Sequence, residues 1–261
     1  MKIFIVDAFT DKSFGGNPAA VCLLAQPRSD NWMQQVAQEM NLSETAFVYR
    51  VQDGYNLRWF TPTTEVDLCG HATLATAFVL WEVNYLTRNE TARFHTKSGL
   101  LTASLKENWI ELDFPAEPAY EVTTPQELVQ ALDIKPLYTG KNRFDYIVEV
   151  ESEQILRNIQ PDFTLLAKLP VRGVIVTSQS NQNTFDFVSR FFGPAAGVNE
   201  DPVTGSAHCC LGPYWQKKLN KDTFTAYQAS SRGGILKLQV MEERVKLIGQ
   251  AVIILRGELA V

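Results

Sequence analysis

A chain of 261 residues, 45% hydrophobic and 20% charged, has apolar content for one large domain or for two of about 130 residues. Its net charge of −5 with no basic run argues against nucleic acid or an anionic membrane as partner, and no apolar stretch is long enough for a transmembrane helix. The four cysteines (Cys22, Cys69, Cys209 and Cys210) form no C-x-x-C pair, so neither a disulfide framework nor a metal site is indicated, and a reduced, cytoplasmic protein is expected.

Lys2–Phe9, rich in Ile, Val and Phe, predicts a strand; Asp7 interrupts an apolar stretch already too short for a signal segment. A turn-rich loop over 11–18 leads to a second strand at Ala19–Leu24. Trp32, Val36, Ala37 and Met40 share one face of a helix over Asn31–Met40, with Asp30 as its N-cap. Thr45–Val51 and Asn56–Phe60 read as strands flanking the hairpin signal Asp53-Gly54. Ala72–Val83 is apolar on nearly every side, which predicts a buried helix. Strands follow at Ala92–Thr96, Leu100–Lys106 and Asn108–Phe114, and the proline-containing segment 115–118 marks a boundary between lobes.

Beyond it, Thr124 caps a short helix, Phe144–Val150 is a strand and Asp162–Leu169 a helix. Strands at Gly173–Thr177 and Phe185–Phe192 precede a second buried helix, Ser206–Leu219. Phe224–Gln228, Ile235–Met241 and Arg244–Leu255 close the chain as strands. The expected fold is α+β: two lobes, 1–117 and 118–261, each a curved, mostly antiparallel sheet around a central helix. The last strand, near 250–261, is also a candidate to pack with the first lobe.

The chain repeats a pattern. Phe60-x-Pro62, an acidic stretch and Gly70-His71-Ala72 before an apolar run are echoed by Phe192-x-Pro194, an acidic stretch and Gly205-Ser206-Ala207. The Phe-x-Pro elements lie 132 residues apart and the Gly-x-Ala elements 135. A repeat of half the chain predicts two similar, pseudo-symmetric lobes with a cleft between them, and two helix N-termini aimed there would suit a carboxylate or other small anion.

Four places could carry chemistry. Glu44, between Leu42 and Ala46-Phe47, is either a solvated turn residue or a carboxyl in apolar surroundings, where its charged form is disfavoured and proton transfer becomes accessible. His71 at a helix start is either a satisfied N-terminal histidine or a neutral donor and acceptor. Cys69 is either a small buried residue or a thiolate base. In the 199–207 loop, Asp201 before Pro202 is held extended, Thr204 or Ser206 can cap the next helix, and Gly205 permits close ligand approach. Arg232, beside two glycines, is either a carboxylate ligand or a surface residue of a turn. No P-loop, dinucleotide fingerprint or G-x-S-x-G is present.

These segments resemble the phenazine-biosynthesis PhzF-like family, within the diaminopimelate epimerase fold group. The resemblance rests on Val6-Asp-Ala-Phe9, Gly16-Asn-Pro-Ala-Ala-Val21, Leu42-Ser-Glu-Thr-Ala-Phe47, Arg58-Trp-Phe-Thr-Pro62 and the stretch from Glu65 to Leu74. It continues through Gly197-x-x-Glu-Asp-Pro-Val-Thr-Gly-Ser-Ala207 and Arg232-Gly-Gly. It implies barrel-like lobes and a cofactor-free isomerase, often a homodimer, acting on a small amino-acid-like carboxylate. Glu44 matches the family's general acid/base, with His71 and Asp201 beside it. Asn17, Cys69, Gly70, Gly205, Ser206, Ala207 and Arg232 are the substrate-binding candidates. Diaminopimelate epimerase uses one cysteine from each lobe; here Cys69 stands at the first position but Asp201 at the second, which disfavours a symmetric two-thiol racemase. The alternatives are an epimerase with Cys69 as one base, or a non-catalytic small-molecule binder retaining the cleft.

Overall fold

The computed structural model describes residues 1–260. The chain forms two compact units, one of Met1–Phe114 together with the segment from Lys246 onward, the other of Pro115–Val245.

The first unit begins with β1 (Lys2–Ala8), β2 (Asn17–Leu23), α1 (Asp30–Met40), β3 (Glu44–Val51) and β4 (Gly54–Phe60). A two-residue β5 (Glu65–Val66) then leads into α2 (Gly70–Glu82), followed by β6 (Ala92–Thr96), β7 (Gly99–Lys106) and β8 (Trp109–Pro115). Strand β1 pairs antiparallel with β2, β2 parallel with β3, β3 antiparallel with β4, and β4 parallel with β6. Strands β6, β7 and β8 continue antiparallel. On one face of β1–β3, α1 contributes Met33, Val36 and Ala37 to a core with Ile3, Ala20, Cys22 and Phe47. The N-cap of α1 is Ser29 rather than Asp30, because Ser29 is the extended residue and its hydroxyl accepts from the Trp32 N–H at 3.3 Å. Asp30 is freed to pair with Arg58.

The second unit contains β9 (Tyr120–Glu121), α3 (Gln126–Leu132), β10 (Tyr138–Lys141), β11 (Asp145–Glu149), α4 (Glu153–Asn158) and α5 (Phe163–Leu166). After them come β12 (Gly173–Gln179), β13 (Phe187–Gly193), β14 (Val198–Asp201), α6 (Gly205–Leu219), β15 (Thr223–Gln228) and β16 (Gly234–Met241). Strand β10 pairs antiparallel with β11, β11 parallel with β12, β12 antiparallel with β13, β13 parallel with β15, and β15 antiparallel with β16. This is the alternation of the first unit from β1 to β7. The helix read over Asp162–Leu169 is the shorter α5, capped by Asp162, and α4, capped by Ser152, is a further helix that the sequence reading missed. Each is too brief to show a helical period. Thr124 does not cap α3; its hydroxyl is spent on Thr139 at 2.8 Å, and Pro125 stands at the cap.

The stretch read as one strand over Arg244–Leu255 is two, β17 (Arg244–Gly249) and β18 (Ala251–Glu258). Gln250 breaks them: its carbonyl accepts from the N–H groups of Phe9 at 2.8 Å and Thr10 at 3.2 Å. Strand β17 pairs with β8 and β18 with β1, the two ends of the first unit's ladder. One residue joins those ends, so the ladder curls back on itself. What it surrounds is α2, with ten of its thirteen residues buried, packed against β1, β2, β3 and β18. A helix without a polar face is stable only when enclosed.

Leu80 lies fully buried on α2, whereas Leu100 is 46% exposed on β7. Leu80→Ala should lower unfolding stability by about 2–5 kcal/mol through lost contacts and a cavity, against about 0.5 kcal/mol or less for Leu100→Ala. Urea unfolding of both variants checks this; equal midpoints would refute the enclosure of α2.

Candidate active site

Three elements of the first unit converge at one end of α2. The C-cap of α1, Asn41, adopts a left-handed conformation and turns the chain into β3, whose first residue is Glu44. Parallel pairing sets Glu44 beside Ala19 of β2, and Asn17 lies two residues earlier on the same face of that strand. The turn before Asn17 requires glycine: Gly16 has φ +61, and a Cβ there would lie 2.1 Å from the Ala8 carbonyl oxygen. His71, the second residue of α2, completes the group.

The His71 ring is 5% exposed and the Glu44 side chain 18%. Oε2 of Glu44 lies 3.2 Å from Nε2 of His71. On the other side of the ring, Nδ1 lies 3.2 Å from the Asn17 amide nitrogen and 3.6 Å from Cys69 Sγ. An amide nitrogen only donates, so Nδ1 accepts and the ring proton sits on Nε2, the nitrogen nearer the carboxylate; the 3.2 Å approach is a close contact and not an aligned hydrogen bond. Burial keeps the ring neutral, pushing its pKa down to about 3. The pair is therefore a neutral imidazole in contact with a partly exposed carboxyl group.

Cys69 occupies the N-cap position of α2 in an extended conformation, and its side chain makes no cap hydrogen bond. One donor atom each from Glu44, Cys69 and His71 lies within 4.8 Å of the others, a set whose ligand types suit a zinc-like ion. Glu44 and Cys69 face different nitrogens of the ring, however, and a metal takes only one of them. As arranged, the three form a contact group around the ring and not a ligand set.

In the second unit, Asp201 ends β14 and Thr204 is the N-cap of α6. The Thr204 hydroxyl donates to Asp201 Oδ2 at 2.5 Å. Fully buried Gln228 locks both: its Oε1 accepts from the Thr204 N–H at 2.8 Å, and its Nε2 donates to the Asp201 carbonyl at 2.7 Å. Ser206 accepts from Arg172 Nη2 at 3.0 Å, and Arg172 also holds buried Asp145 through two bonds of 3.0 and 2.5 Å. The Arg172 guanidinium lies 5.2 Å from the Phe144 ring centre and 5.5 Å from that of Phe191. Gly205 and Ala207 are buried in the first turn of α6. Arg232 is half-buried in a turn tied to the Asp201 loop by Ser230, whose hydroxyl donates to the Pro202 carbonyl at 2.8 Å.

Glu44 opens β3 beside Ala19, and Gly173 opens β12 beside Asp145, so Gly173 is the counterpart of Glu44. A Cβ at Gly173 would meet the Phe191 ring at 2.4 Å, which leaves no room for a carboxylate there. The neighbouring Arg172 reaches the α6 start instead. Neither Arg172 nor Gln228 carries a motif. Superposing the two copies by strand order would have exposed Arg172, while nothing in the sequence marks Gln228.

His71 and His208 are both buried, with pKa values pushed down to about 3 and about 4 from the ordinary 6.5. The unfolded chain takes up these protons near 6.5 and the native state only well below, so the unfolded state binds more protons in between. The stability the two rings contribute is complete above pH 6.5 and declines as pH falls towards 3. Urea midpoints at pH 7.5, 6 and 5 should drop in that order, and His208→Gln should flatten the trend; a pH-independent midpoint would contradict neutral burial.

The family model described as phenazine biosynthesis-like protein matches residues 6–257. A protein of Halalkalibacterium halodurans named an uncharacterized isomerase is 62% identical over 258 residues, covering 98% of this chain and 97% of its own. The crystal structure of a PhzF-family phenazine biosynthesis protein from Enterococcus faecalis superposes with a TM-score of 0.95 at 45% identity, covering 100% of this chain and 99% of that one. A probable proline racemase from Agrobacterium radiobacter K84 shares the fold at a TM-score of 0.67 and 10% identity, over 100% of this chain and 93% of that chain. With the family model spanning nearly its whole length, this chain belongs to the phenazine biosynthesis-like, or PhzF-like, family.

Proposed function

We propose that this protein is a cofactor-independent isomerase that moves a proton between carbons of a small, amino-acid-like carboxylate, with Glu44 as general acid/base. The observation that carries the reading is the 3.2 Å contact between Glu44 Oε2 and the neutral His71 Nε2–H, itself oriented by Asn17. In this reading His71 contacts one carboxylate oxygen and the other is the working one. Breaking a substrate C–H bond transfers the proton to Glu44, and the electron pair stays on the substrate as an enolate-like anion. Glu44 then returns the proton to a different carbon, so no oxidant or reductant is needed. The N–H groups opening α2 at Gly70 suit the substrate carboxylate and the developing charge. For Asp201, which is held by Thr204 and Gln228, the family resemblance supports a role with the substrate amine. Relatives named as isomerases support the reaction class. A homodimer working in the cytoplasm completes the reading, the first from the family and the second from four unbridged cysteines.

One observation favours a second reading, an epimerase with a thiol base: Cys69 Sγ lies 3.6 Å from His71 Nδ1. Amino acids and cyclic carboxylates incubated with the protein in D2O and followed by proton NMR identify the exchanging compound. Glu44→Gln should then slow deuterium incorporation at least about a hundredfold, the lower end of general acid–base contributions, while Cys69→Ser keeps most of it. Full exchange in the Gln variant removes Glu44 from the chemistry; loss of exchange in the Ser variant transfers the role to the thiol.

A further inference from the structure

The repeat extends to an ion pair. In the first unit, Arg58 on β4 donates from Nε to Glu65 Oε1 at 2.7 Å and from Nη2 to Glu65 Oε2 at 2.8 Å. In the second, Arg190 on β13 donates from Nε to Glu200 Oε1 at 2.7 Å and from Nη2 to Glu200 Oε2 at 2.9 Å. The same nitrogens meet the same oxygens. Each arginine stands two residues before the phenylalanine of its Phe-x-Pro element and lies over that ring, at 5.2 Å for Phe60 and 4.7 Å for Phe192. Each glutamate stands five residues before the glycine that opens the central helix.

The remaining nitrogen also has a matching task. Arg58 Nη1 donates to Asp30 at the start of α1, at 2.7 Å. Arg190 Nη1 donates to the carbonyls of Leu156 at 3.2 Å and Ile159 at 2.8 Å, at the end of α4. Both helices lie between the strands corresponding to β2 and β3. Each guanidinium thus ties three parts of its unit together: a central strand, an outer helix, and the turn leading to the central helix. A bidentate fork fixes orientation as well as distance, which a lysine cannot do.

We propose that Arg58–Glu65 and Arg190–Glu200 are duplicated positioning clamps that set the turns carrying Cys69 and His71 in one unit and Asp201 and Ser206 in the other. The five-residue approach to α2 includes Cys69 and ends beside His71; the approach to α6 includes Asp201 and Thr204. With the glutamate held at both oxygens, the start of each helix has little freedom to shift against its sheet. The arginines act through these residues and do not touch the substrate; this rests on the reading of Glu44, His71 and Asp201 as the reacting machinery.

The test uses Arg58→Lys and Arg190→Lys in the full chain, with Glu65→Gln and Glu200→Gln as second variants should a lysine variant fail to fold. The readouts are melting temperature, kcat and KM for deuterium exchange, and the ring 15N shifts of His71 without substrate. Folded variants should lose roughly tenfold to a hundredfold in kcat with KM changed less than about threefold, since small displacements of reacting groups weigh on turnover. Arg58→Lys and Glu65→Gln should also move the His71 ring resonances, whereas the Arg190 and Glu200 variants leave them in place. Lower melting temperatures with wild-type kcat and unmoved His71 resonances would reduce the pairs to structural braces and overturn the proposal, as would failure of all four variants to fold. Because the ring shifts need no turnover, an active Glu44→Gln protein would discard the Glu44 mechanism while leaving this result to stand or fall separately.

Discussion

A helix that is apolar around its whole circumference has to be enclosed, and in the first unit the sheet curls around α2 until β17 and β18 meet across Gln250. The consequences reach the candidate site. Enclosure buries the first turn of α2 along with the rest, so His71 cannot carry charge at ordinary pH. A neutral imidazole offers one donor and one acceptor, and the fully buried Asn17 amide decides which nitrogen does which. The nitrogen that remains lies 3.2 Å from Glu44 Oε2. That the carboxyl group meets a neutral ring thus follows from the absence of a polar face on a helix.

The second unit repeats the wiring without repeating the chemistry. Its strands pair in the same alternation, and the same bidentate arginine–glutamate pair sits ahead of the helix. At the position of Glu44 stands Gly173, pressed against the Phe191 ring, and at the position of His71 stands Ser206. Asp145 and Arg172 neutralise each other there, with the Arg172 guanidinium near the Phe144 and Phe191 rings. What duplication preserved is the scaffold that orients a helix start; what diverged is the set of side chains the start presents.

Much of this was legible in the sequence. The strands, the long helix α1 and the two central helices show their periods or their all-round apolarity, and the Phe-x-Pro to Gly-x-Ala repeat announces two similar halves. Glu44, His71 and Asp201 stand out by residue type and neighbourhood. The misreadings share a cause. Ser29 displaced Asp30 as cap, and Thr124 lost its cap role to Thr139, because a hydroxyl or carboxylate bonds whichever partner the fold brings near. Strands β17 and β18 looked like one run because residue type does not register that Gln250 spends its carbonyl on Phe9 and Thr10.

By itself the sequence determined the α+β composition, the internal repeat and the family, and it singled out Glu44 as a candidate, since these depend on periodicity, spacing and residue chemistry along the chain. Tertiary structure alone decided that Glu44 meets His71, that Asn17 sets the tautomer, that Gln228 holds the Asp201 loop and that Gly173 excludes a second carboxylate. Those facts join residues 27 to 54 positions apart, or depend on the space beside an aromatic ring. Distances of that kind exist only after the chain has folded, because burial and hydrogen-bond direction are properties of neighbours in space and not of neighbours in sequence.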